Sequence, residues 1–160
     1  MALNSASTLM NVAWDQQKTL TGFNPVAQGA DAVSLSVSPA LTGATPANIV
    51  FAEQRTLSAG GSYTYDLTTG LTDFLGTAIN LTRIFAVIVT SSTGTVVFAP
   101  GATNGLEWFL GGTSPTISIP AGAGFMFTTP THQTVSGTDK TITLSSSAGA
   151  TYKIAFLGGQ

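Results

Sequence analysis

The run IFAVIV at residues 84–89 decides how this chain folds. It is six apolar residues in succession, follows Arg83, and gives way to Thr90, Ser91, Ser92, Thr93 and Gly94. A membrane-spanning helix needs about 20 such residues, so the run is no span. Ile84, Val87, Ile88 and Val89 are β-branched, which favours a strand. A strand that is apolar on both alternating faces belongs in the middle of a sheet, covered on each side.

The same reading extends in both directions. Residues 32–37 alternate Val33, Leu35 and Val37 with Ser34 and Ser36, and Pro39 follows. A strand opens at Ile49–Phe51 and runs to Gln54. The turn at residues 58–61 leads into 62–67, where Tyr63, Tyr65 and Leu67 share one phase. Further strands are expected at 95–99, 106–110, 116–119, 124–128 and 141–144. The last, at 151–157, alternates Tyr152, Ile154 and Phe156 with Lys153 and Ala155. Many short strands at regular spacing, punctuated by Gly, Pro, Ser and Asn, predict an all-β chain with one β-sandwich, jelly-roll-like, over residues 31–160.

Residues 1–30 read differently. Ala6, Leu9, Met10, Ala13 and Trp14 recur at helical spacing behind Ser5, which fits either a short amphipathic helix or an extended N-terminal arm. Residues 19–30 read as a loop joining this arm to the β body. Residues 72–75 before Gly76 read as one turn of helix.

Composition bounds the chemistry. Five Lys and Arg and seven Asp and Glu make 8% of 160 residues, with no cysteine and a formal net charge of −2. An ordinary soluble domain carries about 25% charged residues. No basic stripe is present to neutralise phosphates, so no nucleic acid partner is expected. Nor is a membrane partner, a cofactor or a metal. His132, with Ser136 and Asp139, lacks the sequence context of a nucleophile elbow and reads as a polar loop residue. Asp66 and Asp73 flank LTTGLT at a spacing that matches no calcium loop, and both read as turn caps. Gly111-Gly112 and Gly122-Ala123-Gly124 lack the Lys-Ser/Thr of a phosphate loop.

Two groups of side chains remain. Glu53, Arg55, Arg83 and Glu107 border apolar strands; in a chain so short of charge they should be paired, within the fold or across a subunit contact, with Trp14 as a further interface residue. Tyr63, Tyr65 and Trp108 are the candidates for a glycan-stacking platform, set against ordinary packing in the core.

A run of landmarks carries a family resemblance: ANIVFAEQRTLSAGGSYTYDL (47–67), LTDFLGTAINLTRIFAVIV (71–89), NGLEWFLGG (104–112), ISIPAGAGF (117–125) and YKIAFLGG (152–159). Over roughly two-thirds of its length, from Ala47 onward, the chain resembles small β-sandwich virion structural proteins of tailed bacteriophages, the capsid decoration, cement or fibre-like group. The resemblance implies a virion component with no catalytic residues. Our leading expectation is therefore a non-enzymatic decoration or cement protein on the capsid surface. Its partners would be the major capsid protein and its own copies, as a homotrimer. The alternatives are a receptor- or carbohydrate-binding adhesin domain of a fibre or spike, and a jelly-roll coat subunit.

Overall fold

The computed structural model describes residues 8–19, 26–37, 47–72, 76–107 and 115–160, with backbone only for the first two stretches and at Pro130. The regular elements among these residues are all strands: β1 (Thr8–Thr19), β2 (Val26–Val37), β3 (Ile49–Leu57), β4 (Gly61–Asp66), β5 (Leu71–Thr72), β6 (Ala78–Ile79), β7 (Arg83–Thr93), β8 (Val96–Pro100), β9 (Ile117–Ile119), β10 (Gly124–Thr134), β11 (Thr141–Ser146) and β12 (Ala150–Gly159). Two four-stranded antiparallel sheets, β10-β7-β12-β3 and β4-β11-β8-β9, pack as a β-sandwich. Two small hairpins, β1-β2 and β5-β6, stand as sheets of their own.

Strand pairing in the sandwich is nested. The first four sandwich strands (β3, β4, β7, β8) pair in reverse order with the last four (β12, β11, β10, β9). Consecutive strands change sheet at nearly every connection, so the corners are tight. At one of them, Gly94 at φ 69° and Gly149 at φ 86° face each other; a Cβ on Gly94 would collide with the Gly149 carbonyl oxygen. Only glycine meets both demands there, since it alone adopts positive φ without steric cost.

Alternation explains the core. Phe51 and Leu57 of β3, Tyr152, Ile154 and Phe156 of β12, and Val87 and Val89 of β7 point inward from the first sheet. Tyr65, Ile142, Leu144, Val96, Phe98 and Ile119 point inward from the second. Fully burying each large side chain contributes about 1.5–3 kcal/mol. The run that opened the sequence reading lies in β7, between β12 and β10, as a central strand should. A second, smaller cluster (Ala47, Phe85, Ala86, Leu157) lies apart from this core.

The all-β sandwich expected from the sequence is present, and several local expectations are corrected. Residues 8–19 form a strand and not a helix: β1 pairs with β2 without interruption from Thr8↔Val37 to Thr19↔Val26. The helical spacing at Ala6–Trp14 concealed a second period, because Met10, Val12 and Trp14 also alternate with Asn11, Ala13 and Asp15. The loop expected at 19–30 loses residues 26–30 to β2, and the boundary expected after residue 30 falls inside that strand. Strand β10 continues past residue 128 through a register shift between Thr128 and Gln133. Leu106 and Glu107 lie outside any strand, next to the bridge Gly105↔Thr141; residues 108–110 and 73–75 lie outside the described residues.

Candidate functional site

Where the edge strands β3 and β4 run along one side of the sandwich, polar side chains take over from the apolar core. Alternation along β3 sends Glu53 and Arg55 to the same inward phase as Phe51 and Leu57. Arg55 Nη2 lies 2.5 Å from Glu53 Oε1, and its guanidinium carbon sits 3.5 Å from the centroid of the Tyr63 ring. Tyr63 in turn meets Tyr65 edge-on at 4.8 Å and 73°. The Tyr65 hydroxyl shares a hydrogen bond of 2.9 Å with that of Tyr152, across the two sheets. Phe51 and Phe156 close the cluster with edge-to-face contacts on Tyr65.

The electrostatics of this seam hold its protons in place. Burial pushes the Tyr65 hydroxyl well above the ordinary tyrosine value, and its hydrogen bond with Tyr152 adds to the shift. Burial likewise raises Tyr152, against the smaller opposing effects of the Tyr65 hydrogen bond and Arg55. For Arg55, burial works to lower the value but is outweighed by Glu53 and the Tyr65 hydrogen bond, so the guanidinium stays charged. The seam thus keeps Tyr65 and Tyr152 protonated and Arg55 charged near neutral pH. It plugs the open side of the sandwich and puts paired charges on the inward face of an edge strand, a pattern that opposes strand addition.

The expected site residues thus separate. Glu53 and Arg55 pair with each other within the fold. Tyr65 is 1% exposed and cannot offer a ring face to a glycan; Tyr63 is half-buried beneath Arg55. Arg83 is half-buried at the start of β7, with its Nε buried and unpartnered among the described residues, and Glu107 is exposed. Trp108 and the Trp14 side chain lie outside the described residues. His132 meets Phe85 edge-on at 5.9 Å. Ser136 and Asp139 are joined in a turn of their own: Ser136 Oγ donates to Asp139 Oδ2 at 3.1 Å and accepts from the Asp139 amide at 3.1 Å.

One ion pair escaped the sequence reading. Lys140 Nζ lies 2.8 Å from Asp66 Oδ2, while Asp66 Oδ1 accepts from the Thr68 amide, the Thr68 hydroxyl and the Thr69 amide. Partial burial works to raise the Asp66 carboxyl, but Lys140, Thr68 and Thr69 together hold it well below the ordinary carboxylate range. The turn-cap role expected of Asp66 is therefore observed, with a cation added from 74 positions downstream.

The outer faces of the two sheets differ from each other. On the first sheet, register aligns Ala52, Ala155, Ile88 and Met126 in one cross-strand row. A neighbouring row carries Gln54, Lys153, Thr90 and Gly124. Val50 and Ile88, at 47% and 36% exposure, are the exposed large hydrophobic residues among those described, and both lie here. A shallow hollow of about 440 Å³ is lined by Ala52, Glu53, Gln54, Ile88, Thr90, Lys153, Ile154 and Ala155. On the second sheet, the rows are Ser62, Ser145, Val97 and Ser118, then Thr64, Thr143 and Ala99. There the Thr64 and Thr143 hydroxyls hydrogen-bond across strands at 2.7 Å. The sequence signal for Ile88 was available: residues 84–89 of β7 are apolar in both phases, and one phase must face outward.

Comparison with known protein families, with curated proteins and with solved structures finds no match to this chain.

Proposed function

We propose that this chain is a non-enzymatic structural subunit of a virus particle, a decoration or cement protein on the outside of a tailed-phage head. The observation that carries this reading is the apolar row Ala52, Ala155 and Ile88, with Val50 beside it, on the outer face of the first sheet. An apolar patch on an otherwise polar soluble domain marks a contact surface. Two further features support the reading. In the seam between the sheets Glu53 pairs with Arg55 and Tyr65 with Tyr152, which suits a structural element better than a catalytic one. The nested, sheet-changing strand order supports a jelly-roll fold, common in capsid proteins.

The mechanism is mechanical. A rigid sandwich bound across neighbouring major capsid proteins adds buried contacts that must be broken before the subunits separate, and binding only the assembled state stabilises it by mass action. The subunit acts as a symmetric homo-oligomer on the capsid surface, with neither nucleic acid nor a membrane as partner. Quantitative mass spectrometry of purified virions tests this. The chain is expected at a fixed stoichiometry to the major capsid protein, and heads stripped of it should disrupt at lower temperature. Its absence from virions, or heads indifferent to its removal, overturns the proposal.

A further inference from the structure

Residues 101–106 make a tight loop that is latched onto the first residue of β11. The Gly101 and Leu106 amides both donate to the Thr141 carbonyl, at 3.0 and 2.9 Å. The Thr141 hydroxyl donates to the Thr103 carbonyl at 2.5 Å. The Asn104 carbonyl accepts from the Lys140 and Thr141 amides, at 2.8 and 2.9 Å. We propose that Asn104–Gly105, inside this latch, is a self-modification site. The Gly105 nitrogen attacks the Asn104 side-chain amide, and the isoaspartate that results releases the loop from β11. The site rests on the loop alone and not on the function proposed above.

Four observations support it. Of the six asparagines in the chain, Asn104 alone precedes a glycine; a side chain on the following residue would crowd the attacking nitrogen, and glycine has none. The fold itself demands that glycine, because a Cβ on Gly105 would collide with the Gly101 carbonyl oxygen and press on Pro100. Asn104 is exposed and has φ 53°, the one non-glycine residue at positive φ among those described, a conformation that asparagine tolerates better than most. The nucleophile is not engaged: the bridge to Thr141 runs through the Asn104 carbonyl and the Leu106 amide on either side of the Gly105 N–H.

The chemistry needs only water. Gly105 N gives up its proton and bonds to Asn104 Cγ, the Cγ–Nδ2 bond breaks, and the side-chain nitrogen leaves as ammonia. Water then opens the cyclic imide. Entry at Cγ gives aspartate; entry at the main-chain carbonyl gives isoaspartate, in which the chain runs through Cβ and Cγ. Isoaspartate lengthens the backbone by one carbon and converts the carbonyl that held Lys140 and Thr141 into a free carboxylate. Ring closure requires rotation about the Asn104 Cα–C bond, which carries that carbonyl off both amides. The latch therefore sets the rate: the site reacts only while the loop is open.

Peptide mapping by mass spectrometry tests this on the full chain held at mildly alkaline pH, with a free peptide of residues 100–107 as the unlatched reference. Asn104 should convert before any other asparagine, at least ten times more slowly than in the peptide. Thr141→Val removes the hydroxyl that holds Thr103 and should speed conversion about threefold or more, with an unchanged circular dichroism spectrum. The isoaspartate form, separated by ion exchange, should be cut after the exposed Glu107 by a glutamyl endopeptidase faster than the starting chain. Asn104→Asp, which adds the charge without the extra carbon, should be cut at the starting rate. Earlier conversion of another asparagine, or none at Asn104 while the peptide converts fully, overturns the site. Conversion at the peptide's rate, no effect of Thr141→Val, or equal cutting of the isoaspartate and Asn104→Asp forms overturns the latch.

Discussion

Outward from β3, β12 and β7 the first sheet presents Ala52, Ala155 and Ile88; outward from β4 and β11 the second presents Ser62, Thr64, Thr143 and Ser145. The inner faces of the same sheets are alike, both lined by aromatic and branched aliphatic residues. Folding dictates the inner faces, because the sandwich cannot close without them. It places no such demand on the outer ones. Their difference is therefore a property of the surface and not of the core.

The largest expected effects probe the half of this comparison in which the sheets agree. Phe156→Ala in the first sheet and Phe98→Ala in the second should each cost about 3–5 kcal/mol in urea denaturation. A sheet that tolerated its substitution would show that the two inner faces are not equivalent after all. Next comes the seam joining them. Tyr65→Phe leaves the Tyr152 hydroxyl without its partner and should cost about 1–2 kcal/mol, part of which Tyr65→Phe with Tyr152→Phe recovers.

A smaller effect separates the edges of the second sheet from its middle. The folded-state value of Asp66 lies below that of an unfolded carboxyl, about 3.9. Its contribution is therefore complete well above that value and drains away as pH falls through it toward the folded value. Asp66→Asn should cost about 1 kcal/mol at pH 7, and progressively less in acid. A pH-independent difference would show that the ion pair with Lys140 is not what holds this turn. The smallest effects belong to the outer faces. Ile88→Thr and Thr143→Val should each change stability by less than about 0.5 kcal/mol. Thermal denaturation checks both, and a large loss from either would mean that folding, and not the surroundings, chose that residue.

What the sequence disclosed follows the range of the interactions involved. Strands β7 and β12 were readable because alternation is a local property, written into Ile84–Val89 and Tyr152–Phe156. Pairing of Glu53 with Arg55 was within reach for the same reason, since residues two apart on a strand share a face. Lys140 and Asp66 are far apart in the chain, and strand pairing alone brings them together. Tyr65 shows the limit of composition: an aromatic residue in a strand reads the same whether its ring is a platform or a core element, and only the position of Tyr152 in the opposite sheet decides. Of the N-terminal hairpin, the half at 32–37 was read as a strand, while β1 was missed because Met10 and Trp14 satisfy the helical and the strand period at once.

Nested pairing has a consequence for the order of events during synthesis. Strand β12 sits inside the first sheet, between β7 and β3, yet it is made more than 50 residues after both. Until Ala150–Gly159 emerges, β3 and β7 have no shared neighbour, and each offers a bare edge to any strand nearby. Contacts of such long sequence separation form slowly. A chain with this topology is safest where its nascent copies are kept apart, and most prone to exchange strands where they are crowded.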